Sequence, residues 1–287
     1  MGTNRNTAIK VLALLSTVRW YNILLTVAAQ YLGAYFLARH TQHPFESLVL
    51  NVKLHLIVIS TVFTIAAGFI INNFYDYEKD MINRPKTTLF NRLISKKTIL
   101  NLYISFNLIS LTLAAFASFR ILLFFLGFVS LLWIYSHKLK SIPFVKEFSA
   151  SILSVASFFS IGLHYGQWYN FVFAYGVFFL SLVFTREIIK DFENRKGDTA
   201  VGNTTLLLYL GEEKTKAFVY LLMCFSVFIG ISFMVLYHIK PWTLYVLGAV
   251  IFVAFNLVFF RKSVSSRQYA IVNAIYKLML VAGVLNI

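Results

Sequence analysis

Two stretches of this chain set carboxylates and amides at helical spacing beside basic residues. The first reads Asn72-Asn73-Phe74-Tyr75-Asp76-Tyr77-Glu78-Lys79-Asp80-Met81-Ile82-Asn83-Arg84-Pro85. Asn72, Asp76 and Asp80 are four apart, and Asn73 is three from Asp76. A helix continuing through them presents these oxygen donors on one face. Like charges at that spacing repel unless a cation sits between them. Pro85 is expected to stop the helix or turn the chain. The second stretch reads Arg186-Glu187-Ile188-Ile189-Lys190-Asp191-Phe192-Glu193-Asn194-Arg195-Lys196-Gly197-Asp198. Glu187 and Asp191 are again four apart, Asn194 lies three beyond Asp191, and Asp198 seven beyond it. Gly197 permits a turn after the helix, with Asn203, Thr204 and Thr205 in a polar loop.

Hard oxygen ligands suit Mg²⁺ or Ca²⁺. Mg²⁺ uses one or two carboxylates, waters and substrate phosphate oxygens. Two such clusters facing each other would hold two ions around a pyrophosphate. Arg84, Lys86, Arg186 and Lys190 are near enough in sequence to take the remaining phosphate charge. An EF-hand is excluded, because the spacing of its ligand loop is absent. A single charged cluster at the end of a membrane span is ordinarily a solvated cap. Two with this spacing, on one side of the membrane, call for another reason.

The elements that must carry these clusters are membrane helices. The 287 residues are 59% hydrophobic, 17% aromatic and only 13% charged, and mean hydropathy is +0.74. An ordinary soluble domain carries about 25% charged residues, and one this apolar could not cover its surface. A span needs roughly 20 apolar residues. Such runs fall at 20–38, 54–75, 98–118, 120–136, 147–167, 169–189, 216–237, 241–260 and 268–286. The expected fold is therefore an all-α bundle of nine transmembrane helices in one domain, residues 1–287. Lipid cannot satisfy exposed strand edges, and the alternation of a membrane barrel is missing. Arg5 and Lys10 before a short apolar stretch imitate a signal peptide. No convincing cleavage site follows, so an interfacial helix leading into the first span is expected.

A net charge of +15 would suggest nucleic acid in a soluble protein. Here the basic residues lie between apolar runs, which points instead to lipid headgroups or a phosphorylated substrate. Most of them fall in the N-terminal segment and the even-numbered loops; Arg39, Lys53, Arg120 and Lys240 fall on the other side. That bias places the N-terminus inside and the C-terminus outside. Every carboxylate except Glu46 lies on the same inner side, although the positive-inside rule says little about acids. Cys224 is alone, so no intrachain disulfide or thiol metal site forms.

These residues resemble the UbiA-type intramembrane prenyltransferases. Asn72 to Asp80 match that family's N-D-x-x-D-x-x-x-D motif, except that Asn73 replaces the first Asp, and Ile82-Asn83-Arg84-Pro85 is a typical continuation. Arg186 to Asp198 resemble the R-E-I-I-K-D-x-E-x-x-x-G-D form of one branch. Arg19-Trp20-Tyr21-Asn22 is similar to an early R-P-x-N, with Trp20 for the proline, and Tyr135 to Lys140 are similar to Y-S-x-x-L-K. The resemblance implies transfer of a polyprenyl group from its diphosphate to an acceptor, with Mg²⁺ bound by both motifs at a prokaryotic cytoplasmic membrane. By carry-over, Asp76, Asp80, Asp191 and Asp198 are the catalytic metal-site residues, joined by Asn73. Asn22, Asn72, Arg84, Lys86, Arg186, Lys190, Tyr135 and Lys140 would bind substrate. Tyr75 and Tyr135 are expected near the allylic cation, which an aromatic face stabilises by about 2 kcal/mol when desolvated. Asn73, Asn194 and Lys196 stand where relatives often carry acids, which implies weaker metal binding, reliance on the substrate's own charge, or an inactive or differently specialised member.

The R-E-I-I-K-D form is most similar to the branch that acts on geranylgeranylglyceryl phosphate; other branches prenylate 4-hydroxybenzoate or dihydroxynaphthoate. Lys138, Lys140 and Lys146 suit either a phosphate or a carboxylate anchor. Two rivals come from other classes. A transporter of an anionic substrate would place ionisable residues near the midplane, where only Lys277 lies. An alcohol phosphotransferase would carry D-G-x-x-A-R, which is absent.

Overall fold

The computed structural model describes residues 2–38, 44–91, 93–166, 170–237, 240–262 and 265–285. Arg39, Arg92 and the span ends expected at 167, 169 and 286 lie outside them. Among the described residues the regular elements are all helical: α1 (Gly2–Thr17), α2 (Trp20–Ala38), α3 (Pro44–Val49), α4 (Val52–Tyr75), α5 (Tyr77–Asn83), α6 (Pro85–Asn91), α7 (Lys96–Ala117) and α8 (Phe119–His137). A 3₁₀ turn (Leu139–Ser141) leads to α9 (Val145–Tyr165), α10 (Asn170–Val201), α11 (Leu206–Leu210), α12 (Glu212–Tyr237), α13 (Lys240–Lys262) and α14 (Ser266–Leu285). Among the described residues, seven helices are long and apolar enough to cross a bilayer: α2, α4, α7, α8, α9, α12 and α14. The chain is an integral multi-pass membrane protein.

The helices form two compact units. The first comprises residues 1–138 and 156–166, and α4 is its axis, packed against α7, α8 and α2. Small residues permit this packing. A Cβ on Gly68 would meet Leu132 of α8 at 3.1 Å, and one on Gly33 would meet Phe158 at 2.6 Å. Several polar groups inside pair with one another, as a low-dielectric interior favours. Gln30 Nε2 donates to Thr61 Oγ1 at 2.8 Å and to the Ser157 carbonyl at 2.9 Å. The Thr64 and Ser110 hydroxyls lie 2.6 Å apart. The link between α7 and α8 is a single extended residue, Ser118, whose Oγ caps α8 by accepting from the Ile121 amide.

The second unit comprises residues 139–155 and 167–287. Here α10 packs against α12 and α14. Phe192 of α10 meets Phe260 and Tyr269 with ring centroids 5.5 and 4.8 Å apart. Glu193 accepts from Asn273 of α14 at 2.5 Å, and its carbonyl accepts from Ser266 at 2.7 Å. The entry to α9 is unusual. Phe144 sits in the left-handed region at φ 68°, which is strained for a bulky side chain. Its ring is held among Phe148, Phe184 and Phe218, with centroids 6.0, 5.7 and 6.3 Å away. That aromatic packing offsets the strain and fixes where α9 begins.

Candidate active site

In the first unit the acidic motif straddles a joint. α4 ends at Tyr75, Asp76 has φ −87° and ψ 6°, and α5 begins at Tyr77. The i to i−4 bonding nevertheless continues. The Asp76 amide donates to the Asn72 carbonyl at 2.9 Å, Asp80 to Asp76 at 2.9 Å, and Arg84 to Asp80 at 2.7 Å. So Asn72, Asp76 and Asp80 keep the shared register read from their spacing, across a bent helix and not a straight one. Pro85 does not merely stop the chain. Arg84 turns it at φ −144° and ψ 59°, and Pro85 opens α6, the position its fixed φ favours.

Asn22, Asn72, Asn73, Asp76 and Asp80 are half-buried, and Arg84 and Lys86 are exposed. Burial and the neighbouring Asp76 charge raise the Asp80 carboxyl above its ordinary range, while Arg19, Lys79 and Arg84 oppose the shift. Arg19 therefore acts on the first motif, whereas in the sequence it had only a place in the R-P-x-N-like stretch and no site role. It occupies a left-handed turn at φ 51° between α1 and α2, with its guanidinium 5.2 Å from the Phe69 ring centre. His137 was also missed. Its Nδ1 lies 3.2 Å from the Tyr75 hydroxyl, and its ring stacks on Trp133 at 5.3 Å. Tyr135 is half-buried in the last turns of α8, and Lys140 half-buried in the 3₁₀ turn.

In the second unit the motif lies on one uninterrupted helix. Gly197 does not turn the chain. It is buried within α10, which runs 32 residues to Val201. The turn comes at Gly202, φ 71°, where the Asn203 amide donates to the Asp198 carbonyl and the Gly202 amide to that of Thr199. That is a Schellman closure, for which glycine at the left-handed position is suited. The extension keeps Glu187, Asp191, Asn194 and Asp198 on one helical face, and all four are buried.

Their partners differ from the sequence expectation. Arg186 donates to one oxygen of Glu187 at 2.8 Å and Lys190 to the other at 2.9 Å. Lys146, expected as an acceptor anchor, instead donates to Asp191 Oδ1 at 2.5 Å and lies 3.7 Å from Glu147 Oε1. Glu147, outside both motifs, is 1% exposed; its Oε1 accepts the Leu206 amide at the start of α11. Asn203 Nδ2 donates to Asp198 Oδ1 at 3.2 Å. Burial pushes the Asp191 carboxyl up to about 7; Lys146 opposes the shift and the Glu147 carboxylate adds to it.

The donor set suits a hard divalent cation. Asp191 Oδ2 and Glu147 Oε2 are buried and accept no hydrogen bond, a costly state for carboxylate oxygens. Among the described residues no three His, Cys, Asp or Glu converge as a ready-made metal cage. Mg²⁺ does not need one, because it typically takes one or two carboxylates and completes its shell with water and phosphate oxygens.

An all-helical membrane fold with paired oxygen-rich motifs defines a class of intramembrane enzymes acting on diphosphates. The chain belongs to the UbiA prenyltransferase family, whose pattern matches residues 26–281. It is 29% identical to a digeranylgeranylglyceryl phosphate synthase of Pyrococcus abyssi over 71% of each chain. It is 30% identical to one of Sulfolobus acidocaldarius over 71% of this chain and 72% of that protein. A match to the Pyrococcus horikoshii protein spans 58% of that relative's length, at 30% identity. The fold is similar to that of a digeranylgeranylglyceryl phosphate synthase structure (TM-score 0.70, 21% identity, 96% of this chain and 98% of that one). It is also similar to a UbiA homolog from Archaeoglobus fulgidus bound to GPP and Mg²⁺ (TM-score 0.69, 17% identity, 96% and 99%).

Proposed function

We propose that this protein is a Mg²⁺-dependent prenyltransferase that moves a geranylgeranyl-type group from its diphosphate to geranylgeranylglyceryl phosphate within the membrane, releasing pyrophosphate. The observation that carries this is the second motif. Arg186 to Asp198 form one buried helical face of carboxylates and amides in a chain whose family and named relatives are prenyltransferases and digeranylgeranylglyceryl phosphate synthases. The whole chain, residues 1–287, acts as one catalytic domain of nine spanning helices, with the N-terminus and both motifs on the cytoplasmic side. The bias of basic residues supports that orientation.

Asp76, Asp80 and Asn73 of the first motif, and Asp191 and Asp198 of the second, would hold Mg²⁺. When bound, the ion supplies Lewis-acid stabilisation of the leaving pyrophosphate. Asn22, Asn72, Arg84, Lys86, Arg186 and Lys190 bind the diphosphate, the arginines through paired donors. In the transfer, the bond between the allylic carbon and the diphosphate oxygen breaks. The acceptor hydroxyl oxygen forms the new bond and gives up its proton. Tyr75 and Tyr135 present aromatic faces to the developing cation, and apolar walls keep water from capturing it. Lys140 anchors an amphipathic acceptor's charged head.

The test is pyrophosphate release by purified protein in lipid, supplied with geranylgeranyl diphosphate and a panel of acceptors, with and without Mg²⁺. Release requiring both Mg²⁺ and geranylgeranylglyceryl phosphate is the expected result. Release with an aromatic acid instead would replace the acceptor, and no release with any acceptor would overturn the reading.

A further inference from the structure

The feature left over from this account is an ammonium inside the acidic cluster. Lys146 and Glu147 open α9, held in place by the strained Phe144 just before them. From there Lys146 Nζ reaches Asp191 Oδ1 at 2.5 Å and Glu147 Oε1 at 3.7 Å. The side chains of Lys146, Asp191 and Glu147 are 14%, 3% and 0% exposed. One positive charge thus serves two buried carboxylates, with Asp198 contributing to the same negative field on Lys146. The charges do not balance. Asp191 Oδ2 and Glu147 Oε2 remain buried without a hydrogen bond, so a divalent cation would complete what the ammonium leaves undone. Yet the two cations repel strongly when they share a carboxylate in a poorly solvated site.

We propose that Lys146 is a tethered counter-cation of the second motif, which occupies the Asp191–Glu147 carboxylate pair in the metal-free protein and lowers its affinity for a divalent ion. This makes Glu147 a ligand of that site alongside Asp191. It makes Lys146 a positioning residue that must leave Asp191 as an ion enters. The inference rests on the reading of both motifs as metal ligands.

The test is a Mn²⁺ titration followed by electron paramagnetic resonance, on the full chain in lipid nanodiscs without diphosphate. An Asp76→Asn/Asp80→Asn background removes the first motif's contribution. There, Lys146→Met is expected to bind Mn²⁺ about tenfold tighter or more, the scale on which neighbours of a metal site act. Lys146→Arg should stay at the parent affinity, and adding Asp191→Asn or Glu147→Gln to Lys146→Met should abolish the gain. If Lys146→Met does not fold, Lys146→Gln gives the same comparison, because it keeps a donor for Asp191 but no charge. Unchanged or weaker binding on removing the charge, or a gain that survives Asp191→Asn, overturns the inference while leaving the transferase reading intact. Absence of Mn²⁺ binding in every variant, with the first motif restored as well, overturns the metal assignment beneath it.

Discussion

The two acidic motifs have similar residues and opposite surroundings. The first spans a bent joint between α4 and α5, with Asp76 and Asp80 half-buried. The second lies within a single helix, with Asp191 and Asp198 only 3% and 1% exposed. A half-exposed carboxylate keeps part of its hydration, so its charge costs less than that of a buried one. A buried one must be paired or neutralised. The second motif accordingly has Lys146 on Asp191, Arg186 and Lys190 on Glu187, and Asn203 on Asp198. The second motif is thus held charged inside the protein by a network of cationic and amide donors.

The sharpest way to break this comparison is catalysis, where both motifs should matter equally. Asp76→Ala and Asp191→Ala are each expected to lower kcat by more than about a hundredfold, since even neighbours of metal ligands cost 10–100-fold. Near-normal pyrophosphate release in either variant would remove that motif from the site. Stability should separate the two. In metal-free protein on the alkaline side of pH 7, Lys146→Ala leaves the buried Asp191 carboxylate without its cation and is expected to cost about 3 kcal/mol or more. Glu78→Gln in the exposed part of the first motif should stay within about 0.5 kcal/mol. Denaturation in mixed micelles measures both. A smaller loss, about 1–2 kcal/mol, is expected for Gly202→Ala, because its left-handed φ of 71° penalises a Cβ. Empty space surrounds that position, so a much larger loss would mean the closure also holds Asp198.

The smallest expected effect is on pH dependence. Burial favours neutral Asp191 in the folded protein and raises its carboxyl to about 7. A raised carboxyl contributes stability that is full below the ordinary carboxylate range and is lost as pH rises through about 7. Metal-free protein should therefore gain stability when acidified from the alkaline side of that value. Asp191→Asn should flatten the gain, whereas Asp80→Asn, whose carboxyl is raised but half-exposed, should flatten it less. An equal effect of the two substitutions would erase the contrast in burial.

Much of this was legible in the residues. Apolar run length located seven of the nine expected spans among the described helices, and helical spacing of four and seven residues put Asn72, Asp76 and Asp80 in one register and Glu187, Asp191 and Asp198 on one face. These are local properties, fixed by helical geometry whatever the helix later meets. Gly197 permitted a left-handed turn without requiring one. Packing of α10 against α12 and α14 kept it helical, and Gly202 took the turn instead. Lys146 looked like one more basic loop residue, 45 positions away in sequence from Asp191. Arg19 likewise stood only in the R-P-x-N-like stretch, far in sequence from Asp80, on which its charge acts from a turn at φ 51°. The sequence by itself determined which residue types could bind a cation and at what helical spacing. Only the tertiary structure decided which carboxylates are buried and which cations neutralise them, because desolvation and ion pairing depend on chain segments that spacing does not connect.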